Sequence, residues 1–178
     1  PPFEHSTTTS QAYGGHITNL ENGLQPLELG DFNGDGHLDA LIATASLSSS
    51  SATLGSIRWM RGQGDGRLAA GVEIAPLLAR FLEVVDVNGD GHLDFLASID
   101  GSFVGVRTYL GNGAGQFTFA GELVASDPEL ITAAADFTGD GIIDVAIAPA
   151  AGGLTLHPGH GSGTFAAGIT LETGTQLS

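Results

Sequence analysis

The sequence predicts an all-β chain of β-propeller blades: three full units of four antiparallel strands plus the C–D hairpin of another, about half a propeller. Three observations predict it. An aspartate loop recurs three times, as Asp31-Phe-Asn-Gly-Asp-Gly-His-Leu-Asp39, Asp86-Val-Asn-Gly-Asp-Gly-His-Leu-Asp94 and Asp136-Phe-Thr-Gly-Asp-Gly-Ile-Ile-Asp144, with starts 55 and 50 residues apart. A Gly-x-Gly-x-Gly turn follows each loop, at residues 62–66, 111–115 and 159–163. Between them lie short apolar runs of strand length, and no stretch keeps a 3.6-residue period.

Each unit divides into strands A to D. Strand A precedes the aspartate loop at residues 27–29, 81–85 and 131–135; strand B follows it at 38–43, 93–99 and 143–148. The B segments are almost continuously apolar, as strands covered on both faces are. Strand C, at 56–60, 103–110 and 154–157, leads into the glycine turn, and strand D, at 68–74, 116–123 and 164–171, leaves it. Glycine supplies the positive φ that tight hairpins need. Four strands in about 50 residues is the size of a propeller blade. The blades span 24–76, 79–126 and 129–173 of a single domain, 1–178. In the first, a Ser-rich B–C insertion runs over 44–54. Residues 1–20 align with the C and D strands of the third blade, His5 on His157, Tyr13 on Phe165 and Ile17 on Ile169, and read as the hairpin of a preceding blade.

Composition narrows the function. The 178 residues include no Cys, no Lys, five Arg and twenty acidic residues, for a formal charge of −15. Without Cys there is no disulfide framework, thiolate metal site or cysteine nucleophile. So few cations argue against nucleic acid, which recruits clustered Lys and Arg, and against an anionic membrane surface. No apolar run approaches the roughly 18 residues of a membrane helix. No signal peptide is visible at Pro1, so the chain reads as processed or excised from something longer.

Asp at loop positions 1, 5 and 9, Asn or Thr at 3 and Gly at 6 put oxygen donors on alternate residues of a tight turn, a pattern that wraps Ca²⁺. The start matches an EF-hand loop; the end does not. Position 12 is Ile42, Ala97 or Ile147 instead of Glu, and the flanks are strands. The further carboxylate comes from position 9.

With its D-x-[ND]-x-D-G-x-x-D loop between strands, followed by G-x-G-x-G and an aromatic (Phe117, Phe165), the chain resembles the FG-GAP/VCBS repeat family of integrin α-chain propellers, fungal propeller lectins and many secreted bacterial proteins. The resemblance covers nearly the whole chain. It implies about three Ca²⁺, one per A–B loop. The implied ligands are Asp31, Asn33, Asp35, the His37 carbonyl and Asp39; Asp86, Asn88, Asp90, the His92 carbonyl and Asp94; Asp136, Thr138, Asp140, the Ile142 carbonyl and Asp144. Thr138 is a poorer donor than Asn, so the third site is expected to be the weakest. Arg67-Leu68 replaces the turn aromatic in the first blade. Three divalent ions would bring the charge from −15 to −9.

Other chemistry is weaker. The acid pairs recur in every blade at metal-ligand spacing, whereas a glycosidase pair is single and drawn from different strands. His157 and His160 span a Gly/Pro turn with no acid nearby and read as an exposed turn. The glycine turns lack the Lys and following helix of a phosphate loop, and no Ser/His/Asp set or nucleophile elbow occurs. Trp59, with Arg58, Arg61, Arg67 and Arg80 close in sequence, reads as a strand residue packed between blades, Arg61 and Arg67 being surface charges. The chain is expected to be a non-catalytic, extracellular, Ca²⁺-stabilised binding or adhesion module. Its partners would be a glycan or extracellular protein, other copies of itself, or a longer parent chain. The integrin resemblance puts ligand contact on the face opposite the Ca²⁺ turns, at residues 44–55, 75–79, 100–102, 126–129 and 149–153. Two alternatives are a structural subunit of an extracellular polymer, and the non-catalytic propeller of a larger secreted enzyme such as a polysaccharide lyase. Calcium sets the compartment, since weak multiple sites suit millimolar extracellular calcium.

Overall fold

The computed structural model describes residues 26–47, 53–99, 104–124, 130–149 and 153–171; the expected hairpin at 1–20 lies outside them. These residues form three four-stranded antiparallel sheets and no helix. The first blade holds β1 (Leu27–Gly30), β2 (Asp39–Leu47), β3 (Thr53–Met60) and β4 (Val72–Ala75). The second holds β5 (Ala79–Val85), β6 (Asp94–Ile99), β7 (Gly105–Gly111) and β8 (Phe117–Val124). The third holds β9 (Leu130–Ala135), β10 (Asp144–Pro149), β11 (Leu154–His157) and β12 (Ile169–Leu171). Each sheet pairs its strands in chain order, the up-and-down order of a propeller blade.

Two details correct the sequence reading. In the first blade β2 and β3 run on into the Ser-rich insertion, pairing Thr44 with Ser56, Ala45 with Gly55 and Leu47 with Thr53, so only 48–52 remain between the strands. Gly55 is the key there: a Cβ on it would lie 2.2 Å from the backbone of Leu78, in the link to the next blade. In the outer blades strand D begins late, at Val72 and Ile169. Single bridges, Gly62 to Leu68 and Gly159 to Phe165, stand where pairing was expected to be continuous. Only β8 is the full strand that the sequence predicts.

The core lies between blades. Phe95 and Ala97 of β6 face the first blade, packing with Phe32, Leu41, Ala43 and Ile57; Leu96 faces the third, packing with Val106, Val145 and Ile147. Strand β6 is buried along its whole length, which explains its unbroken apolar run. Phe95 stacks on Tyr109 at 4.8 Å between centroids, and Phe117 stands edge-on to both Phe95 (5.2 Å) and Phe32 (5.7 Å). The second-blade aromatic Phe117 thus closes over the first-blade loop residue Phe32, with the Gly115 N–H donating to the Phe32 carbonyl at 3.0 Å.

One charged group crosses the other boundary. Glu83 Oε1 accepts the Ala134 N–H at 2.7 Å, while Oε2 is buried with no partner among the described residues. Burial pushes its pKa up, the Ala134 N–H works against that, and the charge of Glu28 adds to the rise. A raised native pKa gives stability that is full below the ordinary glutamate value near 4.5 and is lost as pH climbs through the native value. The Glu83→Gln variant should therefore gain on the parent chain between pH 4.5 and 7, as read from urea midpoints across that range. Parallel curves would show that Glu83 does not titrate differently in the folded state.

Candidate functional site

The three aspartate loops share one hydrogen-bond scheme. The position-1 carboxylate accepts the N–H groups of positions 4, 5 and 6. For Asp31 these come from Gly34 (2.8 Å), Asp35 (3.1 Å) and Gly36 (2.8 Å), and Asp86 and Asp136 repeat the pattern. The position-5 carboxylate accepts the N–H of position 7 in every loop. Such closure requires left-handed backbone at position 6, met by φ of 81°, 85° and 84° at Gly36, Gly91 and Gly141.

Position 9 does something else. Asp39, Asp94 and Asp144 are completely buried and tie the aspartate loop to the glycine turn. One oxygen accepts the N–H of the first turn glycine: Asp39 from Gly62 at 2.7 Å, Asp94 from Gly111 at 2.8 Å, Asp144 from Gly159 at 2.9 Å. The other oxygen accepts the N–H of loop position 2, from Phe32, Val87 or Phe137. The turn glycine sits so close that a Cβ would fall 2.1 to 2.2 Å from the carbonyl oxygen of position 8. The two motifs therefore recur together because they touch. Asp39 Oδ2 also accepts from Trp59 Nε1, and Asp144 Oδ2 from the Thr138 N–H, so only Asp94 keeps a further lone pair on each oxygen.

The loops differ in their neighbours. In the first, the exposed Arg61 guanidinium pairs with Asp35 at 2.8 Å. Desolvation pushes the Asp35 carboxyl up, but the His37 N–H, Arg61 and Asn33 together hold it below the usual carboxylate range. Asp90 is lowered chiefly by the Asn88 amide, with the His92 N–H assisting. Burial raises Asp94 above its ordinary value, against the N–H groups of Gly111 and Val87. At Asp144 burial pushes the same way and loses to the N–H groups of Gly159, Thr138 and Phe137 and the Thr138 hydroxyl. Thr138, expected as a ligand, gives its N–H to Asp144 at 2.9 Å.

Trp59 lies between blades as expected. It packs against the first core, donates from Nε1 to Asp39 at 3.1 Å and abuts Gly115 of the second blade. His157 accepts or donates at Nδ1 with the Ala166 carbonyl, inside its own blade. Sequence reasoning missed an open groove of about 380 Å³ on the outer strands of the second blade, lined by Arg107, Tyr109, Phe119, Gly121 and Glu122. Arg107 pairs with Glu122 at 3.2 Å and lies 5.8 Å over the Phe119 ring. Burial raises the Tyr109 phenol, with Arg107 opposing and Glu122 reinforcing. The only signal was Tyr109 and Phe119 at cross-strand positions where the other blades have Met60 and Ala70, or His157 and Ala167.

A family model described as an FG-GAP-like repeat matches residues 31–97 and 86–147, each match running from one aspartate loop into the next B strand. The chain belongs to the FG-GAP repeat family. No curated protein matches it significantly. FG-GAP repeat domains are typically non-catalytic and often extracellular. No helix among the described residues is long and apolar enough to cross a membrane.

The family implies a metal, and the donors test it. Every donor in the three implied ligand sets is oxygen, as a hard cation requires. Positions 1 and 5 give two carboxylates, position 3 a neutral oxygen and position 7 a carbonyl. No group of three His, Asp or Glu side chains disposed around one point occurs among the described residues, since position 9 turns to the backbone. The donor types suit a hard cation, and the three carboxylates of a loop do not converge on one point in this structure.

The Asp–Gly tie is open to direct test. Asp94→Ala orphans the Val87 and Gly111 N–H groups, and Gly111→Ala drives a methyl into the Leu93 carbonyl. Each should cost about 2–4 kcal/mol by denaturant unfolding. Asp65→Asn, in an exposed turn, should stay within about 0.5 kcal/mol of the parent.

Proposed function

We propose that the chain is an extracellular, non-catalytic, calcium-stabilised β-propeller module that binds a glycan or protein ligand and completes its propeller with other chains or with a longer parent chain. The observation that carries this reading is the threefold recurrence of one oxygen-lined loop with one hydrogen-bond scheme. Repetition across blades is what a structural ion needs and a catalytic centre does not. Asp31, Asn33, Asp35 and Asp39 with the His37 carbonyl would hold one ion, Asp86, Asn88, Asp90 and Asp94 with the His92 carbonyl a second, and Asp136, Thr138, Asp140 and Asp144 with the Ile142 carbonyl a third. Bound calcium would supply positive charge to loops whose acids otherwise repel one another. The second blade is expected to bind best. Arg61 competes for Asp35 in the first loop, and the third offers the Thr138 hydroxyl in place of an Asn amide oxygen.

For ligand binding, the groove of Arg107, Tyr109 and Phe119 is the supporting feature, because an exposed ring beside a fixed cation is a surface on which a sugar or acidic group can rest.

Millimolar calcium should raise the thermal midpoint relative to EGTA, with about 2.7 kcal/mol gained per site at a hundredfold excess over Kd. Titration calorimetry should give three sites, falling to two in Asp86→Ala. An unchanged midpoint would overturn the calcium reading. Phe119→Ala should abolish any glycan retention while leaving the midpoint in calcium unchanged.

A further inference from the structure

The two internal blade boundaries use the same positions, which makes it possible to ask what those positions do at the two ends. At the first boundary the second blade contributes Leu82, Val84, Leu93 and Phe117 to the core. The first blade has Leu27, Leu29, Leu38 and Leu68 at the matching positions, and all four are exposed; Leu27 is 55% accessible where Leu82 is 7%. Turn glycines agree. Gly115 abuts Trp59 and Gly163 abuts Thr108, each on the preceding blade, but a Cβ on Gly66 would meet nothing within 4 Å. The opposite end shows the converse. Loop position 2 is buried as Phe32 (2%), under Phe117 of the following blade, and as Val87 (3%), yet Phe137 is 49% accessible. On the same face Ile169 and Leu171 are exposed as well.

We propose that the near face of the first blade and the far face of the third are two halves of one interface, filled by a second copy of this chain docking end to end. Each half is shaped for a blade, and this chain carries both halves. The contact continues a boundary that the fold already builds twice, seating Leu38 and Leu68 of one copy against Phe137 and Ile169 of the other. Such an interface is heterologous, so assembly runs head to tail and closes only if the rotation does. The proposal rests on the assembly part of the reading above and is independent of its metal part.

Light scattering on the whole chain, over a concentration series in about 0.15 M salt to screen its charge, is the test. The parent chain should rise above 18.0 kDa with concentration. Leu38→Asp and Phe137→Asp each spoil one half at an exposed position, so each alone should remain at 18.0 kDa with an unchanged circular dichroism spectrum. Mixed together they should form a dimer and nothing larger, because each retains the half that the other has lost. Leu68→Asp should behave as Leu38→Asp does. A parent chain that stays at 18.0 kDa overturns the proposal, as does a mixture that stays there. Running the series in calcium and in EGTA separates this failure from that of the metal reading, which is scored by the thermal midpoint.

Discussion

A buried carboxylate accepting backbone N–H groups from two different turns is the interaction on which each blade depends. The aspartate at loop position 9 joins the A–B loop to the C–D turn, and so fixes the inner and outer halves of the sheet at one end. An N–H bonded to a carboxylate is stronger than one bonded to a neutral acceptor, and the cost of leaving it unpaired in the interior is larger still. Glycine must stand opposite because its Cα rests against the position-8 carbonyl. The loop and turn motifs are therefore one structural device split across some twenty residues of chain.

Upon that device the boundaries are built. The glycine turn, held by its own blade, projects backward over the preceding one. Its third glycine lets the backbone approach Trp59 or Thr108, and its aromatic, Phe117 or Phe165, enters the core between sheets. Nearly all large buried side chains lie at these boundaries, so a blade has little interior of its own, as is usual where repeats stack.

Much of this was legible in the sequence because its signals are local and repeated. The aspartate loop, the glycine turn and the apolar B strands recur with spacing that only a repeat explains, and they place the strands to within a few residues. The extension of β2 and β3 was hidden because Ser, Thr and Ala over 44–54 carry turn propensity and no apolar alternation; pairing with the opposite strand decides there. Strand D is late in the outer blades, where the first turn aromatic is replaced by Leu68 and where the Pro158 carbonyl takes the Ala166 N–H. At the site, composition alone made position 9 one carboxylate among several. Its burial, the Arg61–Asp35 pair and the groove beside Phe119 depend on residues 15 to 26 positions apart, beyond any local pattern.

The hydrogen bond from Gly115 to the Phe32 carbonyl gives the first boundary a direction, because the first blade's loop is finished there by its successor. A lengthening or shortening of such a chain by duplication can preserve every contact only if the break points fall at the same phase of two blades. Cut elsewhere, a loop would meet a turn made for another position. Change in size is thereby confined to whole steps of about fifty residues, and the strict phase of the three loops reflects that arithmetic as much as any ligand.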